Sequence, residues 1–247
     1  MNGNVQKDEP LISVVTVVHN GAALLEQTIV SVLQQPYENL EYIIIDGGST
    51  DGTVDIIRKH ENRLSCWISE KDNGIYDAMN KGWALAKDHG FIIFLGAGDR
   101  LLSLPDAMGN CHTDEVIYGK VFLGDNLVFK PKVGYQLRIY NTLHHQALLI
   151  NKDFHPAKPF DTRFRVYADF DFNQRLYKMG AKFVYSESFQ SYAAPCGVSD
   201  RLDLAETVRI VTKNFGPLWG FLTISCFLAV KLIPGMKRFR PIVKSPE

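Results

Sequence analysis

Four short runs in the first hundred residues concentrate side chains able to hold a polar ligand: His19-Asn20-Gly21, Asp46-Gly47-Gly48-Ser49-Thr50-Asp51-Gly52-Thr53, Glu70-Lys71-Asp72-Asn73-Gly74 and Gly96-Ala97-Gly98-Asp99. Their carboxylates accept hydrogen bonds from N–H and O–H donors. Each run taken alone also reads as turn chemistry, because Asp-Gly and Asn-Gly pairs form turns and Asp51 or Thr53 can cap a following helix. What lifts them above turn chemistry is that each run follows an apolar segment.

Those segments alternate with helical patterns. Leu11–Val18 is a near-continuous apolar run, as in a strand covered on both faces. Leu25, Ile29, Val32 and Leu33 share one face of a helix over Ala22–Gln35, which Pro36 stops. Strands over Glu41–Asp46, Leu64–Ser69 and Phe91–Leu95 follow, separated by helices over Thr53–His60 and Ile75–Lys87. This order predicts a parallel sheet with helices on both faces, whose strand ends gather the four polar runs on one edge, where ligands bind. The second half is less regular. Strands are expected at Glu115–Tyr118, Val121–Phe122, Leu127–Lys132, His145–Asn151 and Lys182–Ser186, with a turn at 124–126 and a helix over Asp169–Met179. Trp67, Trp83 and the aromatics around Phe170 read as core.

As a set, Thr16-Val17-Val18-His19-Asn20, Ile45–Thr53, the run from Ser69 through Ile75-Tyr76-Asp77-Ala78-Met79-Asn80-Lys81-Gly82, and Phe94–Asp99 resemble the inverting glycosyltransferases of family 2, over about residues 11–200. The resemblance implies a GT-A fold: an α/β, mainly parallel, Rossmann-like sheet with a less regular acceptor-side half. It implies transfer of a sugar from a nucleotide-diphosphate sugar, UDP-linked by preference, to an acceptor hydroxyl. Val18, His19, Asn20, Asp46, Ser49, Asp51, Glu70, Asp72, Asn73, Gly74, Asn80, Gly98, Asp99 and His145 would then line the donor site, with Asp46 accepting from the base. Asp99 is the remaining acid of a motif that often carries two, and would ligate Mg2+ or Mn2+ with phosphate oxygens and waters filling the other positions. Within Tyr167-Ala168-Asp169-Phe170-Asp171-Phe172, Asp169 would be the general base, with Asp171 the fallback. His144-His145-Gln146 matches a pair seen in some members; His145 would touch the diphosphate or metal, orient the acceptor, or simply pack.

Charge is balanced, 27 Lys plus Arg against 27 Asp plus Glu, so no global field draws the chain to nucleic acid. Cys66, Cys111, Cys196 and Cys226 lie too far apart in sequence for a C-x-x-C zinc pair. The polar tail 1–10 holds no apolar signal run, and the chain reads as cytoplasmic. Beyond about residue 200 a helix over Leu204–Phe215 precedes the uncharged stretch Gly216–Val230 and then Lys231, Lys237, Arg238, Arg240 and Lys244. Residues 201–247 are therefore expected to form a helical, apolar-then-basic segment lying peripherally on the cytoplasmic face of the inner membrane. A lipid-linked glycan acceptor would follow from that placement. Packing on the domain or in a homodimer is the alternative for this segment. For the whole chain, a non-catalytic nucleotide-sugar scaffold is a second reading, and a nicotinamide-dependent oxidoreductase a weaker third, since no G-x-G-x-x-G turn follows the first strand.

Overall fold

A computed structural model describes residues 9–106, 108, 111–124, 127–155, 158–195, 203–232 and 242–244. The tail 1–8, the centre of the 124–126 turn, Cys196 and the basic residues Lys237, Arg238 and Arg240 lie outside them. Strands β1 (Leu11–Val18), β2 (Leu40–Asp46), β3 (Cys66–Ser69) and β4 (Gly90–Gly96) run parallel in the order 3-2-1-4, and α1 (Ala22–Leu33), α2 (Thr53–His60) and α3 (Ile75–Leu85) connect them. Helix α3 stops two residues before Lys87 because Ala86 turns extended and the Lys87 amide donates instead to the buried carboxylate of Glu41 (3.0 Å).

The second half continues the sheet. Beside β4 lie β8 (Leu148–Asn151), then β6 (Glu115–Leu123), β7 (Leu127–Phe129) and β10 (Ile242–Lys244), while β9 (Lys182–Ala193) pairs with both β6 and the short β5 (Arg100–Ser103). Strand β9 runs seven residues past the expected Ser186, its later half burying Phe189, Ser191 and Ala193 in alternation. Residues His145–Ala147 form a 3-10 turn and not the expected start of a strand, since the Ala147 amide bonds back to the His144 carbonyl (3.1 Å). Three further helices follow: α4 (Ala168–Lys178), α5 (Leu204–Phe215) and α6 (Pro217–Leu232).

Each face of the sheet carries its own core. Leu25, Ile29 and Val32 of α1 and Ile57 of α2 cover one; Met79 and Trp83 of α3, Phe170, Phe172 and Leu176 of α4, and Ile210 and Val211 of α5 cover the other. Trp83 lies within the second core, and Trp67 packs partly buried on the first. Packing therefore does not change character at residue 200: α5 is embedded in the domain core, and only α6 leaves a broad apolar face uncovered.

Helix α3 approaches β1 so closely that a Cβ on Gly82 would fall 2.2 Å from Val15 Cγ1. Overpacking of this kind costs about 1–3 kcal/mol. Gly82→Ala is expected to lower the unfolding free energy by that amount, seen as a lower urea midpoint at unchanged slope, whereas an unchanged midpoint would show that α3 has room to shift outward.

Candidate active site

The carboxyl ends of β1 to β4 meet on one edge, as their polar runs require. The loops after β1 and β2 are stitched directly together. The amides of Asn20, Gly21 and Ala22 donate to Ser49 Oγ (2.7 Å), Thr53 Oγ1 (3.0 Å) and Asp51 Oδ2 (3.0 Å), and the Thr50 amide returns a bond to Asn20 Oδ1 (2.9 Å). The Gly47 amide donates to the Val18 carbonyl at 2.8 Å. The Thr53 hydroxyl and the Ala22 amide hold the exposed Asp51 carboxyl below its ordinary pKa. Asn20, Ser49 and Asp51 thus build the rim of the site, with His19 exposed beside them.

Asp46 is fully buried, and both its oxygens are engaged by its own surroundings. Oδ2 accepts from the amides of Gly48 (3.2 Å) and Ser49 (3.0 Å) and from Ser69 Oγ (2.6 Å), while Oδ1 accepts the Ser49 hydroxyl. Asp72 is different. Its Oδ1 takes the Gly74 amide (2.9 Å), and Oδ2 lies where a side chain at position 47 would begin, 2.4 Å from a Cβ built on Gly47. Glu70 pairs with Lys81 (2.9 Å), and the Asn73 amide donates to Asp77 (3.0 Å). Gly74 opens α3 at φ 113°, a conformation that favours glycine. Asn80, expected in the donor site, is instead buried and engaged at both ends of its amide with the Phe160 backbone (2.8 and 3.0 Å). It occupies a buried face of α3, turned away from the loop ahead of that helix.

Asp99 folds back under its own turn. Oδ2 accepts from the Gly96 amide (2.7 Å) and Gln146 Nε2 (3.3 Å), and Oδ1 from the Ala194 amide just past β9 (2.9 Å). Burial pushes its pKa up, against the pull of the nearby His145 and of these donors. Gly98, at φ 100°, donates to Thr28 Oγ1 (2.9 Å), and a Cβ there would meet Ala194 at 2.9 Å. The position that often carries a second acid therefore has neither the conformation nor the space for one.

At the head of α4, Asp169 Oδ1 accepts from the Phe170 amide (2.8 Å) and the Tyr76 hydroxyl (3.2 Å), and Oδ2 from Asn141 Nδ2 (3.2 Å); His145 Nδ1 stands 3.6 Å from Oδ2. Burial alone would raise its pKa, but His145, His144 and the Phe170 amide outweigh it, and the carboxyl sits below its ordinary value. Adjacent residues reach both acids, His145 standing beside Asp169 and Gln146 donating to Asp99, so the two carboxylates share one neighbourhood. Asp171 points the other way, fully buried against Arg175 (3.0 Å), Lys213 (2.8 Å) and Asn214 (2.9 Å). It is an anchor and does not face the site. Glu206 of α5 accepts from three successive amides, those of Arg165, Val166 and Tyr167 (3.0, 2.8 and 2.7 Å), and fixes the approach to α4. Tyr76 and Gln146 lie within motifs of the resemblance, whereas Asn141, Ala194 and Glu206 carry no local sequence signal for these roles and emerge only from the pairing of distant segments.

For a divalent cation, Asp99 offers a carboxylate and Gln146 a buried amide oxygen that has no donor. Both are hard oxygen ligands suited to Mg2+ or Mn2+. Among the described residues no three His, Cys, Asp or Glu side chains are grouped as a metal cage. The residues fit an ion shared with a ligand's oxygens and water, not one held by protein alone.

The family model for glycosyl transferase family 2 matches residues 13–102. The PGL/p-HBAD biosynthesis glycosyltransferase of Mycobacterium bovis (strain BCG / Pasteur 1173P2) is 30% identical over 190 residues, 68% of this chain and 70% of that protein. The putative teichuronic acid biosynthesis glycosyltransferase TuaG of Bacillus subtilis (strain 168) is 38% identical over 95 residues, 37% of each chain. Among solved structures, GalNAc-T7 with UDP, GalNAc and Mn2+ superposes with a TM-score of 0.67 at 16% identity, covering 93% of this chain and 52% of that one. The chain belongs to glycosyl transferase family 2, has the GT-A fold, and is a glycosyltransferase.

His144 packs edge-on against Phe129 (centroids 4.3 Å apart), and burial depresses its pKa to about 4. The unfolded chain takes up this proton near pH 6.5 and the folded chain only near 4, so the stability it supports is present above 6.5 and is lost as pH falls between them. The denaturant midpoint of the protein should therefore drop between pH 6.5 and 4 by an amount worth on the order of 2 kcal/mol more than that of His144→Gln. Parallel curves for the two proteins would show that His144 does not titrate differently on folding.

Proposed function

We propose that this glycosyltransferase inverts the donor's anomeric centre, taking a UDP-sugar bound at the β1–β4 edge, with Asp169 as general base and Asp99 beside the diphosphate. The observation that carries it is that two adjacent residues reach both acids: His145 Nδ1 stands 3.6 Å from Asp169 at the head of α4, and Gln146 donates to Asp99 in the turn after β4 at 3.3 Å. Asp169 is held ionised, and its two oxygens keep lone pairs beyond the three donors they accept. As the acceptor oxygen attacks C1, its proton passes to Asp169 while the C1–O bond to the diphosphate breaks on the opposite face. Tyr76, Asn141 and the Phe170 amide fix the carboxylate's orientation for that transfer. A divalent cation, held by Asp99 and the Gln146 carbonyl, would neutralise charge on the departing diphosphate. A ring N–H of the base meets two carboxylates: Asp72 through its open Oδ2, or Asp46 if the Ser69 hydroxyl turns away.

The acceptor, on this reading, is a lipid-linked glycan of surface polysaccharide assembly. Helix α6 supports it. Leu218, Phe221, Leu222 and Leu228 are 68, 65, 40 and 50% exposed on its outer side, while Gly220 and Thr223 are buried inward. Sixteen residues span about 24 Å, and no helix among the described residues is long and apolar enough to cross a membrane. An apolar face followed in sequence by Lys231, Lys237, Arg238, Arg240 and Lys244 suits the interface of an anionic membrane.

The thermal midpoint should rise with UDP, and more so with manganese present. Asp169→Asn should keep that response yet lose at least about a thousandfold in sugar transfer from UDP-sugars, within the range general-base catalysis supplies. Near-normal turnover by this variant would remove Asp169 from the mechanism, and a response to GDP but not UDP would reassign the base.

The triple variant Leu218→Ser, Phe221→Ser, Leu228→Ser touches only exposed positions. It should leave the thermal midpoint within about 2 °C of the parent and move the protein out of the vesicle-bound fraction on anionic liposomes. Undiminished pelleting with the vesicles would exclude α6 as the contact.

A further inference from the structure

On the sheet face that carries α4, a groove of about 490 Å³ lies between β6, β9 and the segment after β7, lined by Tyr118, Tyr185, Lys130, Lys132 and Gln136. Tyr118 and Tyr185 are register partners on adjacent strands, their ring centroids 5.5 Å apart and tilted by 52°. Tyr185 remains 43% exposed. Its hydroxyl donates to Glu187 (2.7 Å), which also pairs with Lys120, so this nearby acid is already neutralised. Lys130 and Lys132 are exposed and contact no carboxylate within ion-pair distance among the described residues, although Lys130 acts on Glu187 through space. Among those residues no acidic side chain lines the groove.

The groove is joined to the candidate active site through the chain itself. Tyr118 pairs in register with Leu148, which follows His145 by three residues of 3-10 turn, a rise of roughly 6 Å. The segment that supplies Lys130 and Lys132 runs on to Asn141, a donor to Asp169. Leu137 and Leu143 of that segment sit in the same core as Phe170 of α4.

Two aromatic faces beside two exposed ammonium groups and an amide make a particular kind of site. The C–H face of a pyranose packs on a tyrosine ring, whose apolar body and polar edge suit an amphipathic partner. Lysine supplies an adaptable point charge for a phosphate or carboxylate. A few convergent polar groups in a partly apolar cleft then fix orientation. We propose that this groove is an acceptor subsite for a saccharide bearing an acidic group, a uronate or a phosphate, next to the hydroxyl presented to Asp169. This rests on the glycosyltransferase reading above and narrows its acceptor.

The test is saturation-transfer NMR on the full chain, with UDP present to fill the donor site. The probes are a glucuronate-containing hyaluronan disaccharide, N-acetylglucosamine 1-phosphate and neutral chitobiose. At least one anionic saccharide should bind about ten-fold tighter than chitobiose, and which one does so separates the uronate from the phosphate source. Lys130→Ala with Lys132→Ala should erase that preference while leaving the UDP-induced thermal shift intact, and Tyr185→Ala should weaken all three probes. Equal binding of chitobiose, or an anion preference indifferent to the lysine pair, would overturn the proposal. A chain that shifts with UDP yet binds no saccharide would overturn the groove and spare the donor reading. One that binds the anionic saccharide without a UDP response would do the reverse.

Discussion

Burying a carboxylate without donors costs several kcal/mol, and six are buried among the described residues: Glu41, Asp46, Asp99, Asp169, Asp171 and Glu206. Each is supplied with donors drawn from backbone amides, hydroxyls, side-chain amides or basic groups, and those bonds set the shape of the site. Asp46 winds the loop after β2, Asp99 closes the turn after β4 and reaches the end of β9, and Glu206 collects the three amides ahead of α4. Asp169 has a histidine within 3.6 Å in place of a fixed cation. A system of acids held this way is rigid where it faces protein.

The parallel half of the fold was legible because its strands are continuous apolar runs and its loops are written in Asp, Asn and Gly. The ends of β1 to β4, and Asp99 and Asp169 within one site, follow from that pattern and from the family resemblance. What was not legible depends on partners distant in the chain. The inner face of β9 is partly serine, so its alternation does not stand out, yet Ser191 is fully buried. Asn80 sits within a ligand-binding motif, but its place on the helix turns it to Phe160. Glu206 reads as an ordinary first-turn acid until the segment 41 residues earlier is laid against it. Membership of a motif specifies a neighbourhood, and the helix phase decides which side chains face the ligand.

The C-terminal helices are likewise less separable than their composition suggests. Lys213 and Asn214 of α5 hold Asp171 of α4, and Arg138 lies over the rings of Phe215 and Trp219 within 5.3 Å of each centroid. Helix α6 continues from α5 after the single residue Gly216. The helix bearing Asp169 and the helix presenting Leu218 and Phe221 outward thus belong to one packed unit, and the outer face of α6 keeps a fixed geometry relative to Asp169.

The close approach of Gly47 and Asp72 has a consequence for inheritance. Any residue but glycine at 47 would place its Cβ onto the Asp72 carboxylate, so the two positions, 25 apart in the chain, are not free to vary independently. A descendant that acquires a side chain at 47 must shorten or redirect the one at 72 in the same lineage. Change at either position is then best read with the other beside it, the pair counted as one character.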